Sequence, residues 1–141
     1  MGKKLYAEIA SMVQARENCQ ESRNEEWFDR HTDRLRFIER NCLPSGSGID
    51  SGCQIDLGRS KPDRVILTLG FHHVNQDGYY DEWTHHDVVI TPSLQFGYNL
   101  RITGRNRNDI KNCLHDTLSV CLDGSYTEYL DGLMLDGYRI P

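Results

Sequence analysis

At Pro44-Ser45-Gly46-Ser47-Gly48 the hydrophobic period of this chain changes, and that change restricts the folds open to it. Upstream, Leu5, Ile9, Met12 and Val13 recur at helical spacing and predict a helix over residues 4–18. Ser22-Arg23-Asn24-Glu25 reads as a capping box that opens a second helix running to Asn41. Phe28, His31, Leu35, Ile38 and Cys42 lie on one stripe of that helix. Residues 1–43 therefore predict a helical hairpin. Each helix has a single apolar stripe, so the pair needs a further layer to fold against. Downstream the pattern alternates. Cys53–Leu57, Arg64–Val74, Glu82–Thr91 and Gln95–Thr103 read as strands, with Pro92 expected to stop the third. The span 53–103 predicts an antiparallel sheet of three or four strands. Residues 107–122 return to helical spacing, with Ile110, Cys113, Leu114, Thr117, Leu118 and Cys121 on the apolar side.

Helices and strands in separate blocks predict an α+β fold, with the hairpin and the C-terminal helix on one face of the sheet. The other face is expected to be open. The 141 residues fit one domain. Residues 123–141 form a tail with three Leu-Asp-Gly copies at unequal intervals, read as turns.

Composition narrows the function classes. A net charge of −5 argues against a general electrostatic binder of long nucleic acid. No apolar run is long enough for a membrane span, and no leader pattern is visible, so the expected location is cytoplasmic. The five cysteines are odd in number and include no Cys-x-x-Cys pair. They read as reduced thiols rather than a disulfide framework or a zinc site. No cofactor is expected.

Strand alternation assigns the faces. Val65, Leu67, Leu69 and Phe71 go to the core, and Val88 and Ile90 match them from the returning strand. The expected register places Leu67 opposite Ile90, Leu69 opposite Val88, Phe71 opposite His86, Gly70 opposite Asp87 and His72 opposite His85. Thr68, Gly70, His72, His85, Asp87, Asn99 and Arg101 then share the open face.

Two constellations on or beside that face carry chemistry. His72, His85 and Asp87 offer two imidazoles and a carboxylate, a donor set suited to a transition metal with an open position. The second is Gly104-Arg105-Asn106-Arg107-Asn108-Asp109, a tight break leading into a helix, with Asn106 as the expected cap. Arg105 and Arg107 stand where a helix dipole disfavours cations, so an anion there would offset them. Arg105, Asn106, Arg107 and Asn108 are thus the expected anion site, with Arg101 and His72 facing the same ligand. Residues 44–48 could form a backbone nest for an anion. Tyr79, Tyr80 and Trp83 gather near the hairpin tip and read as a stacking or partner surface. With Val89, that apolar patch on an uncovered sheet face predicts a homo-oligomer.

Asn24-Glu25-Glu26-Trp27-Phe28-Asp29-Arg30-His31, Phe71-His72-His73, Gly78-Tyr79-Tyr80-Asp81-Glu82-Trp83-Thr84, Val89-Ile90-Thr91-Pro92-Ser93-Leu94 and Gly104-Arg105-Asn106-Arg107-Asn108-Asp109-Ile110-Lys111 together carry a resemblance, as does the segment 44–52. The pattern resembles a small uncharacterised family of phage and mobile-element proteins, over residues 3–122. The resemblance supplies no catalytic or binding residue. It implies a context: an accessory protein in the host cytoplasm that acts by binding. Its partner would be a host defence protein that it masks or an anionic nucleotide signal that it sequesters. The alternatives are a metal-dependent enzyme centred on His72, His85 and Asp87, and a structural or assembly protein. No hydrolase elbow, dinucleotide fingerprint or His-Glu-x-x-His is present, which places binding ahead of catalysis.

Overall fold

The computed structural model describes residues 4–44, 49–74, 81–93, 97–104 and 108–124. Two helices, α1 (Leu5–Glu21) and α2 (Glu25–Asn41), precede strands β1 (Ile49–Ile55), β2 (Val65–Val74), β3 (Asp81–Ser93) and β4 (Gly97–Ile102). Helix α3 (Asn108–Asp123) follows. The strands form one antiparallel sheet in the order β1-β2-β3-β4, so the fold is α+β as expected.

The turn between α1 and α2 corrects the capping assignment. Arg23 adopts a left-handed conformation (φ 57°), and the Asn24 N–H returns to the Cys19 carbonyl at 2.8 Å. That reversal leaves Ser22 on the α1 side, where its hydroxyl donates to the Asn18 carbonyl at 2.9 Å. Asn24, not Ser22, caps α2, its side-chain oxygen accepting from the Trp27 N–H at 3.4 Å.

One hydrophobic cluster draws on every element. Leu5, Ile9 and Val13 of α1, Leu35 and Ile38 of α2, and Ile110, Leu114, Leu118 and Leu122 of α3 pack against Ile55, Val65, Leu67, Leu69, Val88 and Ile90 of the sheet. The buried stripe of α3 therefore runs through Leu122, while Cys113 is exposed and Thr117 and Cys121 are half-buried. Glu8 is the one buried acid of α1, and Arg34 of α2 stands 3.8 Å from it.

The face assignments hold, but the β2–β3 register differs from expectation by two residues. Leu67 lies opposite Val88, Leu69 opposite His86, Gly70 opposite His85 and His72 opposite Trp83. A pattern with a period of two fixes which face each side chain takes. It is blind to a shift of two, which returns every side chain to the same face. Pro92 does not end β3 but lies within it, opposite Tyr98. Beyond Ile90 that strand has no β2 partner, and a strand paired on one side only tolerates proline. In β1 an irregularity between Ile49 and Cys53 includes Gly52 at φ +74°, a conformation that favours glycine.

His86 is the buried polar residue of the core face, 3% exposed. Its Nδ1 lies 3.2 Å from the Thr103 carbonyl and its Nε2 lies 2.8 Å from the Thr84 hydroxyl. A carbonyl only accepts, so Nδ1 carries the proton and Nε2 accepts from Thr84. Burial pushes the His86 pKa below its ordinary value, against the bond to Thr103, and the charges of Lys111 and His85 add to the depression. A depressed folded pKa means stability is full above the ordinary histidine value of about 6.5. It is lost as pH falls from there toward the folded value, because the unfolded chain takes the proton first. His86→Gln should cost about 1–3 kcal/mol at pH 8. Its deficit against the unsubstituted protein should narrow as urea melts are repeated from pH 7 to pH 5. A deficit independent of pH would show that His86 does not titrate in this way.

Candidate binding face of the sheet

Alternation along β2 and β3 places Thr68, Gly70, His72, Trp83, His85 and Asp87 on the face away from the helices. Trp83 is opposite His72 and can lie diagonally over Gly70, whose direct partner is His85. It does so closely. A Cβ added at Gly70 would stand 2.7 Å from Cζ2 of the indole, a distance no side chain accepts. Gly70 is therefore a floor on which the ring rests. The ring of His85 meets it edge-on, with centroids 4.0 Å apart at 75°. Trp83 remains 45% exposed, so part of its π surface faces solvent. Beside it, Gly52, Gln54, Thr68, Gly70 and His85 line a shallow depression of about 130 Å³.

Asp87, two residues further along β3, is already engaged. Arg59, from the connection between β1 and β2, donates to both of its oxygens at 2.9 and 3.0 Å. The same guanidinium donates from Nε to Asp56 at 2.6 Å. The hydrogen bonds from Arg59 hold both carboxyls below the ordinary aspartate range, and the bonds to Asp87 and Asp56 raise the pKa of Arg59.

The expected metal set is thus not assembled as the sequence suggested. His72 and His85 are diagonal neighbours rather than a directly opposed pair, and the third candidate, Asp87, is held by Arg59. Among the described residues no group of three His, Cys, Asp or Glu side chains is placed to hold a metal ion.

Arg101 and Asn99 do lie on the open strand positions of β4, and both are exposed. Arg101 is opposite Val89, however, six residues along β3 from Trp83. That is about 20 Å at the rise of a strand. Arg101 and His72 share a face without adjoining, so one compact ligand would not touch both. Beyond Arg101 the chain runs back toward the Trp83 end. The Thr103 N–H donates to the Asp87 carbonyl at 2.9 Å, and Thr103 Oγ1 accepts from the Asp87 N–H at 3.2 Å. Asn108 is exposed at the start of α3. Arg105, Asn106 and Arg107 lie outside the described residues. So do the 45–48 segment, Tyr79, Tyr80 and the tail beyond Gly124.

Two features of this face were missed in sequence. One is the Arg59–Asp87 pair, which joins residues 28 apart through a loop no pattern could fold. The other is the contact of Trp83 with Gly70. An isolated glycine within a strand of branched residues is a sign of close approach, and Gly70 fits it. A larger cleft of about 820 Å³ lies elsewhere, between β4 and α3, with Tyr98, Asn99, His115 and Asp123 on its walls. There the Tyr98 hydroxyl donates to Asp123 at 2.8 Å, and burial raises the phenol pKa to about 12.

Comparison of the chain with family models, with curated proteins and with solved structures returned no match.

Trp27→Phe leaves Trp83 as the single tryptophan. In that background Gly70→Ala should lift the indole off the sheet. Its fluorescence should shift to longer wavelength and iodide quenching should rise, with the far-UV circular dichroism unchanged. An emission spectrum that does not respond would mean the ring is not seated on Gly70.

Proposed function

We propose that this protein acts by binding rather than catalysis. Its ligand is a compact, anionic molecule of the nucleotide class, held on the open sheet face around Trp83. The observation that carries this reading is the seating of Trp83 on Gly70. An indole fixed on a glycine floor and still 45% exposed is a preformed stacking surface that loses little freedom when a planar ring covers it. Stacking of a base on an aromatic side chain contributes about 1–3 kcal/mol. His72, His85, Gln54 and Thr68 supply hydrogen-bonding groups around the ring. The net charge of −5 favours a small anion over a long polyanion, which would meet repulsion along the acidic body. The phosphate end falls to Arg105, Asn106, Arg107 and Asn108, which follow β4 where it leaves the sheet beside Asp87.

In this role the protein is a phage or mobile-element accessory protein, working in the host cytoplasm, that sequesters a nucleotide signal of host defence. The engagement of Asp87 by Arg59 supports binding over the metal-dependent alternative, because both carboxylate oxygens already accept hydrogen bonds. Self-association through the exposed Trp83 face is the competing use of the same surface.

Fluorescence titration of the Trp27→Phe protein with AMP, GMP and a cyclic dinucleotide tests the reading, with ribose 5-phosphate as the control that lacks a base. At least one base-bearing compound should quench Trp83. Truncation of that ring should weaken its binding about tenfold or more, since one stacking contact is lost. In the protein that keeps Trp27, read by calorimetry, Trp83→Ala should show the same loss without loss of fold. Quenching by ribose 5-phosphate alone, or by none of the four, would sink the proposal. A metal ion or a Trp83-dependent dimer seen by native mass spectrometry of the freshly purified protein would transfer this face to the corresponding alternative.

A further inference from the structure

Arg16 sits on α1 and points toward α2 and the connection between β1 and β2. Its Nε donates to Thr32 Oγ1 at 2.7 Å, and its Nη1 donates to the Leu57 carbonyl at 3.4 Å. The guanidinium lies 4.3 Å over the Phe28 ring. A guanidinium carries five N–H donors, so two are used here, and both acceptors are neutral. Among the described residues no carboxylate pairs with it. The charge that depresses its pKa is another cation, Arg36, whose own Nη1 donates to Glu39 at 2.7 Å and to the Ile55 carbonyl at 3.1 Å. Burial first, then Arg36, lower the Arg16 pKa, which means its cationic form is under-compensated where it stands. A half-buried charge without a counter-ion is a place where an anion gains most.

The space beside it suits a small one. A pocket of about 210 Å³ is walled by Arg16, Gln20, Gly58 and Lys61. Lys61 is exposed and forms no ion pair among the described residues. Glu17 is the single acid on the rim, and it pairs with neither cation among the described residues. The Ser60 hydroxyl also borders the pocket but is committed to Ile66, whose N–H it accepts at 2.9 Å. We infer that this pocket is a binding site for a compact oxyanion of the phosphoryl class, with the Arg16 fork and the Lys61 ammonium as its charged partners. The fork geometry of arginine matches two phosphate oxygens at once, and lysine adds a point charge. The site is separate from the Trp83 face. The 57–61 segment precedes Val65, whereas Trp83 pairs with His72 seven residues on, a separation of about 23 Å along β2.

The test is calorimetric titration with potassium phosphate at pH 7.5, against potassium chloride at matched ionic strength. Phosphate should bind and chloride should not. Removing one charged hydrogen-bond partner should weaken binding about tenfold or more, so Lys61→Ala should do so and Arg16→Gln should abolish it. Glu17→Gln should tighten it, and Trp83→Ala should leave it unchanged. O-phosphoserine as a second titrant identifies the source. Comparable affinity assigns the pocket to a phosphoryl group on a larger molecule, and binding of phosphate alone assigns it to the free anion. Equal responses to chloride and phosphate would overturn the inference. So would a phosphate affinity that ignores both Lys61→Ala and Glu17→Gln, two surface changes that spare the fold even if Arg16→Gln does not. Loss of phosphate binding in Trp83→Ala would move the anion to the sheet face and overturn it too.

Discussion

The ten-residue pairing of β2 with β3 is the constraint from which the other features follow. On one side of those two strands Leu67, Val88 and Ile90 are fully buried, and three helices exist to cover them. On the other side the same strands present His72, Trp83, His85 and Asp87. A slip of one residue in β3 would exchange the two sets of that strand, burying Asp87 and His85 while exposing Val88 and Ile90. Burial of each large aliphatic side chain contributes about 1.5–3 kcal/mol, so the slipped pairing is far out of reach. The helices can therefore lie on one face only, and the open face is the side left free for a ligand.

That same logic separates what the sequence makes legible from what it leaves hidden. The helical hairpin, the four-stranded sheet, the C-terminal helix and the inward set of β2 are written in hydrophobic period, which is local. The β2–β3 register is not. Leu67 could face Val88 or Ile90 with equal satisfaction on the core side, and the choice belongs to the turn between the strands. The cap of α2 is hidden from the sequence for a related reason. Ser22 and Asn24 are both good caps in sequence, and only the left-handed backbone at Arg23 decides which one faces the helix. Pro92 reads as a stop, and becomes admissible only once β2 has ended at Val65 and left β3 paired on one side.

The candidate site was legible as a face and not as a constellation. Thr68, Gly70, His72, His85, Asp87, Asn99 and Arg101 were placed on one side by parity alone. Their mutual distances depend on register and on loops, so the joint roles assigned to His72 with His85, and to His72 with Arg101, did not follow. Asp87 looks like a free ligand until a loop residue reaches it. Arg16 looks like any solvated arginine on an amphipathic helix until the loop carbonyl of Leu57 and the ring of Phe28 close around it. In each case the missing information is tertiary: which loop folds back, and how far.

One loop connects these observations. Residues 56–64 turn back on themselves through Ser60, which is buried and bonded to Ile66. From that turn Arg59 reaches the open face and grips Asp87, while Leu57, Gly58 and Lys61 close around Arg16. The loop is thus held from both sides of the sheet edge. The grip on the open face persists across the physiological range. Asp56 and Asp87 have folded pKa values below their ordinary 3.8, so the stability they contribute is complete above that value. It is lost only as pH falls through the lowered values. An anion that drew Arg16 or Lys61 toward the pocket would pull on a segment that Arg59 fastens to Asp87, two residues from His85 on the open face. A ligand on the Trp83 platform would meet a loop already positioned by the pocket. A coupling between the two requires that each ligand favour the same loop position, and the shared attachment through Arg59 is the physical element that both would bias.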